Sequence, residues 1–466
     1  MSDTDYDVIV IGAGGAGLAA ASAASEEGAR VLVVEAADRT GGSTALSGGV
    51  FYAAGTSLQR EAGIEDDTPE AMFAYYMWLN QYKLEPGLVR RLCEDATPAF
   101  EWLRRIGVAF DTDGLYASGV DKVRRGHRAA GMGAAIAEAL EGSFAGRGVD
   151  VALSTRVEDL LVEEGAVRGI RVAGEPVRAR SVIVASGGFG ANPDMLAALY
   201  PDAARHGDLH WYIGADTCRG DGIAMGRKAG AAISHPDNRG LLLLTPGFAK
   251  ELEVYLPGWL VMVNRLGLRF IDETIEYSVL SQVMNAQPER DCFAIFDEAS
   301  RAASKSTPER PAPNWEAERL LDHVADGLVE RADSLDALAG KLGVPAAALR
   351  NTVAQYNADV AHGEDRAFFK PPDMLRTISE PPFYAARIRA AIVCWTGTGL
   401  RIDTGARVLG TDNAPVPGLY AAGETTGGMF GECYAAGGAS IANAVVFGRI
   451  AGANAARATA SQDRRS

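Results

Sequence analysis

The stretch from Tyr6 to Gly49 constrains the fold more than any other part of the chain. Val8 to Ile11 is an unbroken apolar, β-branched run, and Gly12, Ala13, Gly14, Gly15, Ala16 and Gly17 follow it with no spacer. Leu18 to Ser25 then reads as an Ala-rich helix stopped at Gly28, and Arg30 to Val34 is a second apolar run closing on Glu35. Strand, glycine turn, helix, strand and acid, in that order, make a dinucleotide-binding unit. Gly12 permits the tight turn, Gly14 lets backbone N–H groups approach a pyrophosphate, and Gly17 lets the helix pack close on the strand. Gly15 and Ala16 belong to the same phosphate-facing turn at the helix N-terminus. Glu35, with Ala36 beside it, is placed to accept hydrogen bonds from a ribose diol.

Composition narrows the class of partner. A hydrophobic content of 47% over 466 residues is ample for a large core. Acidic residues outnumber basic ones, 60 to 45, giving a net charge of −15 and no long basic run, which argues against nucleic acid or an anionic membrane surface. The five cysteines are far apart and form no C-x-x-C pair, as expected of reduced thiols in a cytoplasmic protein. No apolar stretch reaches the roughly twenty residues needed to span a bilayer, so no integral membrane segment is expected. The histidines are scattered and no metal site is expected.

The loop after the acid decides which dinucleotide is bound. Gly41, Gly42, Ser43 and Thr44 follow Glu35 directly, then Ser47, Gly48 and Gly49, where a nicotinamide enzyme continues into its next helix. The run AADRTGGSTALSGGVFYAAGTSLQ resembles the flavoprotein family of fumarate reductase, succinate dehydrogenase and the ketosteroid dehydrogenases, and within it most the last. That resemblance implies FAD, with Gly42, Ser43, Thr44, Ser47, Gly48 and Gly49 lining pyrophosphate and flavin. Ser43 stands where the respiratory members carry a histidine joined to the flavin, so non-covalent FAD is expected.

Strands are expected at Val149–Leu153, Val157–Val162, Val167–Val172, Val177–Arg180 and Ser181–Ala185, with a hairpin around Gly165. Val157, Ser186, Gly187 and Gly188 then return the chain to the dinucleotide site. From about Gly240 the composition changes to a mixed region holding a helix pair between Ser334 and Val360, and strands resume at Leu400–Val408 and Gly418–Ala422. The fold class is thus α/β: a Rossmann-like FAD-binding domain of the glutathione-reductase type, a parallel sheet with a β-hairpin insert, interrupted by an α+β cap. The expected division is 1–239, FAD-binding; 240–385, cap; and 386–466, FAD-binding again, with fraying from Thr459.

The second strong signal is the return segment GLYAAGETTGGMFGECYAAGGASIANAVVFG. Gly423 and Glu424 end a strand, and the resemblance assigns the glutamate to the FAD ribitol. The helix from Ser440 and Ile441 opens on Gly437 and Gly438, so its N-terminus can aim positive charge at the flavin. Three positions depart from the fumarate reductases. Their catalytic arginine falls in the run Arg269–Tyr277, which lacks one at that place. Their clamping histidine falls at Trp395, and their clamping arginine within Phe430–Gly438, where Glu432, Cys433 and Tyr434 stand. No arginine or histidine is expected to replace them nearby, and two carboxylates cannot be desolvated without such partners.

What remains resembles the ketosteroid dehydrogenases. Tyr434 with the Gly438 backbone N–H matches their carbonyl-polarising pair, Tyr277 their base, and Tyr116 loosely their further active-site tyrosine. A base of unperturbed pKa near 10 needs a lowered pKa or a relay. The implied reaction removes hydrogen α and β to the carbonyl of an apolar cyclic ketone, by proton abstraction and hydride transfer to flavin N5. The sequence leaves the electron acceptor open.

Overall fold

The computed structural model describes residues 4–463 apart from 206, 208–209, 235–238, 247, 249–255 and 308–310. The chain divides into two compact units. Met1–Pro201, Tyr212–Leu241 and Cys394–Ser466 form the first, and Asp202–Trp211 with Leu242–Val393 the second. The second unit thus takes in Asp202–Trp211, a segment the sequence reading kept with the FAD-binding part.

The first unit is built on an eight-stranded sheet. Val31–Val34, Tyr6–Ile11, Glu175–Val184 and Pro415–Ala421 lie side by side and parallel, with Val149–Ala152 outside Val31–Val34 and Arg407–Leu409 antiparallel at the other edge. The register sets Val8 against both Val31 and Ser181, and Val182 against Leu419. Parallel neighbours end at the same edge, so Gly12, the Ser186–Gly188 turn and the Gly423–Glu424 turn meet there although they come from distant parts of the chain. This is the sheet edge at which such folds bind ligands. The hairpin Asp159–Glu163 and Ala166–Val172 extends from Glu175–Val184.

Two expectations are corrected in this sheet. The runs Val177–Arg180 and Ser181–Ala185 are one strand, Glu175–Val184, whose charged first half pairs with the hairpin while its apolar second half enters the sheet. The strand expected at Leu400–Val408 is only Arg407–Leu409, with isolated bridges at Leu400 and Ile402. The last helix runs from Ala439 to Asp463, past Thr459 where fraying was expected. That helix lies along the first one, Gly15–Glu26. A Cβ added at Gly448 would stand 2.4 Å from the Ala16 carbonyl oxygen, and one at Gly452 2.1 Å from that of Ala20. Small residues let the two backbones touch.

The second unit has an antiparallel sheet in which Cys292–Asp297 pairs with Val261–Asn264 and with the strand Phe383–Thr396, which also pairs with Val329–Ala332. The long strand is absent from the sequence reading because Ala385, Ala386, Ala390 and Ala391 are helix formers. Pairing on both sides overrides that local preference. The expected helix pair is present as Leu335–Leu342, capped by Ser334 and stopped by Gly343, and Ala346–His362. Leu338, Leu349 and Val353 pack against Val263 and Ile295 of the sheet. Arg269 makes paired hydrogen bonds to Glu273 and Asp365, and Lys370 Nζ lies 2.6 Å from Glu273 Oε2, all deeply buried. Two cations thus pair with two anions, Arg269 and Lys370 with Glu273 and Asp365, which offsets the cost of burying these charges. Among the described residues no helix is long and apolar enough to cross a membrane.

Candidate active site

At the dinucleotide end, glycines meet backbone. Gly12 has φ +103°, and a Cβ there would lie 2.5 Å from the Ala185 carbonyl oxygen; one at Gly17 would lie 1.8 Å from that of Gly12. By contrast a Cβ at Gly14 or Gly48 would meet nothing within 4 Å. Gly14, Gly42, Ser43, Thr44, Ser186, Gly187, Glu424, Gly437, Gly438 and Ser440 keep partial exposure while Ala13, Ala16, Ala185, Gly188 and Ala439 beside them are buried. Small residues therefore line a trough of accessible backbone, and these donors fit the pyrophosphate and isoalloxazine of FAD.

Several predicted residues hold the trough's walls as well. Glu35 accepts hydrogen bonds from Ala13 N at 2.7 Å and Ala37 N at 2.8 Å, locking the turn, and its remaining lone pairs stay available to a diol. The strand that leads to the hairpin is tied to the same place, Thr155 N to Glu35 O and Ser154 N to Ala37 O, with Val157 buried just beyond. Thr44 Oγ1 accepts from Gly15 N at 3.2 Å, and Ser47 Oγ closes the short helix Gly42–Leu46 by donating to Thr44 O. Ser43 Oγ accepts from Ala215 N at 3.0 Å and lies 3.6 Å from Cys218 Sγ, partners more than 170 residues away that no local motif announces. Gly49 is a packing glycine, its added Cβ 2.2 Å from the Met132 carbonyl carbon. The Ser186 hydroxyl, which has no hydrogen-bond partner among the described residues, sits beside Gly222. Glu424 accepts from Thr396 N at 2.9 Å and Thr396 Oγ1 at 2.8 Å, and desolvation pushes its carboxyl up to about 7.

In the return segment, Tyr434 is buried with Trp395 and Phe430, ring centroids 5.9 and 5.5 Å away, and Tyr76 stands behind Phe430. Its hydroxyl accepts from Ser440 N at 2.8 Å, so that N–H is engaged by the tyrosine. Burial holds the Tyr434 pKa well above its ordinary value. The hydroxyl is therefore a donor at neutral pH, with its proton available. Gly438, at φ +99°, follows four residues after it.

The loop that carries both groups is held from outside. Asn80 brackets Cys433, donating to its carbonyl at 3.0 Å and accepting from its N–H at 3.1 Å; Tyr75 Oη donates to Ala435 O at 2.6 Å; Ser118 Oγ donates to Gly437 O at 3.1 Å. Sequence reasoning missed all three, along with Thr396. Tyr116 packs its ring on Gly126, with the Arg128 guanidinium 5.1 Å from the ring centre, and Ser118 two residues on is the group that reaches the loop. Tyr277 opens the helix Tyr277–Asn285 of the second unit. One cation does come to the wall beside Trp395, contrary to expectation: buried Arg239 accepts from Gly397 N at its carbonyl, 2.7 Å, and donates to Lys83 O at 3.3 Å.

The profile of the FAD binding domain family matches residues 7–441. The chain is 32% identical over 465 residues to an NADH:fumarate oxidoreductase of Klebsiella pneumoniae (strain 342), spanning 97% of this chain and about half, 48%, of that enzyme. It is 32% identical over 469 residues to a fumarate reductase (cytochrome) of Shewanella frigidimarina, 97% of this chain and 77% of that one. The crystal structure of 3-ketosteroid-Δ4-(5α)-dehydrogenase from Rhodococcus jostii RHA1, in complex with 4-androstene-3,17-dione, superposes with a TM-score of 0.80 at 28% identity, over 98% of each chain. The glycine turn, the three converging strand ends and the matched profile agree: the chain belongs to the FAD binding domain family, among FAD-dependent oxidoreductases that include both fumarate reductases and ketosteroid dehydrogenases.

Proposed function

We propose that the protein desaturates an apolar cyclic ketone of 3-ketosteroid type across the bond α,β to its carbonyl, using FAD held without a covalent link. The observation that carries this reading is the un-ionised Tyr434 hydroxyl, seated at the start of the last helix four residues before the backbone donor Gly438. Two such donors stabilise an oxygen that gains charge as the α-proton leaves. FAD, when bound, supplies the hydride acceptor. Tyr434 and Gly438 polarise the carbonyl, Trp395 and Phe430 supply an apolar wall that excludes water, and Tyr277 takes the proton. Glu424 and the Gly14 turn orient the cofactor. The last helix directs its N-terminus at the flavin ring.

The relatives named for fumarate share slightly more identity, yet by resemblance their three anchoring positions fall here within the run Arg269–Tyr277, at Trp395 and within Phe430–Gly438. Arg239 is a single guanidinium already bonded to a backbone carbonyl, which does not match a clamp for two carboxylates. All five cysteines are free, which supports a reducing compartment and a cytoplasmic reading. The acceptor that reoxidises the flavin is a further partner. The test is an anaerobic screen of 3-ketosteroids and substituted cyclohexanones against succinate and fumarate, following flavin bleaching and its recovery. Bleaching by a ketone is expected; turnover of succinate or fumarate, with none of the ketones active, would overturn the assignment. In the same assay Tyr277→Phe should abolish reduction and the rate's basic-side pH dependence, with ketone binding intact.

A further inference from the structure

We propose that Ser118 is a positioning residue that aims the Gly438 N–H, an inference that rests on the donor pair assigned above. A peptide unit is planar and trans, so the carbonyl of Gly437 and the N–H of Gly438 lie in one plane and point in opposite directions. Ser118 Oγ donates to that carbonyl at 3.1 Å. Fixing the carbonyl on one side therefore fixes the N–H on the other, and a hydrogen bond to the carbonyl polarises the peptide and strengthens its N–H as a donor. Glycine at 438 permits the φ of +99° that this orientation needs, and no hydrogen bond to Gly438 N–H occurs among the described residues.

The serine is itself anchored. It is 3% exposed, and two residues later Val120 N donates to Tyr75 Oη at 3.0 Å, the same hydroxyl that donates to Ala435 O at 2.6 Å. Ser118 and Tyr75 thus hold alternate carbonyls, 437 and 435, of the loop that carries Tyr434. Rotation of the 437–438 peptide would break the Ser118 bond and turn the N–H away. Without the hydroxyl the peptide is free to turn, while FAD contacts made by the Gly14 turn and Glu424 are untouched.

The probe is para-nitrophenolate, whose charged oxygen imitates the enolate oxygen, compared with para-nitroanisole, which has the same ring and no charge. Both are titrated into the oxidised holoenzyme and followed by the flavin absorbance. Wild type is expected to prefer the phenolate, and Ser118→Ala to weaken phenolate binding about tenfold while anisole binding is unchanged. Ser118→Cys, which keeps the size with a weaker donor, should fall between them and guards against a misfolded alanine variant. The kcat for a ketone should drop with KM nearly constant. Equal weakening of both probes in Ser118→Ala would mean a loosened loop and would overturn the proposal, as would an unchanged preference. A wild type that binds both probes alike would overturn the donor pair itself, and Ser118's role with it.

Discussion

The two ends of the proposed FAD site are built on opposite plans. At the dinucleotide end the contacts are backbone on backbone and mostly local: Gly17 against Gly12, Gly41 N on Ala13 O at 2.8 Å, Glu35 on Ala13 and Ala37. At the substrate end the loop Gly431–Gly438 has little support of its own, and side chains some 320 to 360 positions earlier hold it, Asn80, Tyr75 and Ser118. The first plan tolerates no change in volume. The second tolerates changes in volume but depends on individual hydrogen bonds, which leaves the loop open to variation between relatives that share a cofactor and differ in substrate.

The largest effect should break the first plan. In Gly17→Ala the new methyl carbon would sit 1.8 Å from the Gly12 carbonyl oxygen, and backbone cannot step aside. A cost on the order of 3 kcal/mol or more is expected, read as loss of yellow soluble protein. Next comes Tyr434→Phe, which should keep FAD, lower the melting temperature slightly through loss of the Ser440 N–H bond, and slow flavin reduction by a ketone about 10²- to 10³-fold, or roughly 3 to 4 kcal/mol. A near wild-type rate in stopped flow would reduce the tyrosine to pocket wall. Asn80→Ala removes both bonds to Cys433 and should cost roughly 1–3 kcal/mol. Thermal melts should show it, with FAD affinity in a separate titration unchanged, which is what separates the two plans.

The smallest effect is a pH dependence in the apoprotein. Burial raises Glu424 from 4.5 to about 7, so its contribution to stability is full below about 4.5 and is lost as pH rises toward 7. Burial lowers His127 from 6.5 to about 4, so its contribution is full above 6.5 and is lost as pH falls toward 4. Between these limits the two oppose each other. Glu424→Gln should therefore expose an acid-side loss of stability, at most ~1.4 kcal/mol per pH unit, where wild type is nearly flat. Denaturant melts across that range check it.

How much was legible follows from the same contrast. The turn Gly12–Gly17, Glu35 and the Gly423–Glu424 return could be read because each is a short pattern whose residue types are demanded by geometry within a few positions. Tyr434 could be read only through resemblance. Asn80, Ser118 and Thr396 could not be read at all, since an asparagine bracketing a peptide or a serine on a carbonyl has no periodicity and its partner lies hundreds of residues away. Arg239 was missed for the same reason: the residues that bring it to Gly397 are neighbours in space alone. The strand Phe383–Thr396 was hidden by its alanines, whose local preference loses to pairing on both sides.

The seam between the first and last helices has a consequence for how the protein is made. Ala16 and Ala20 emerge from the ribosome more than 400 residues before Gly448 and Gly452, which press on them. A nascent chain stopped before residue 439 already has every glycine of the phosphate turn, yet lacks the helix Ala439–Asp463 that packs along Gly15–Glu26. Firm cofactor capture is therefore expected only once that helix has been made.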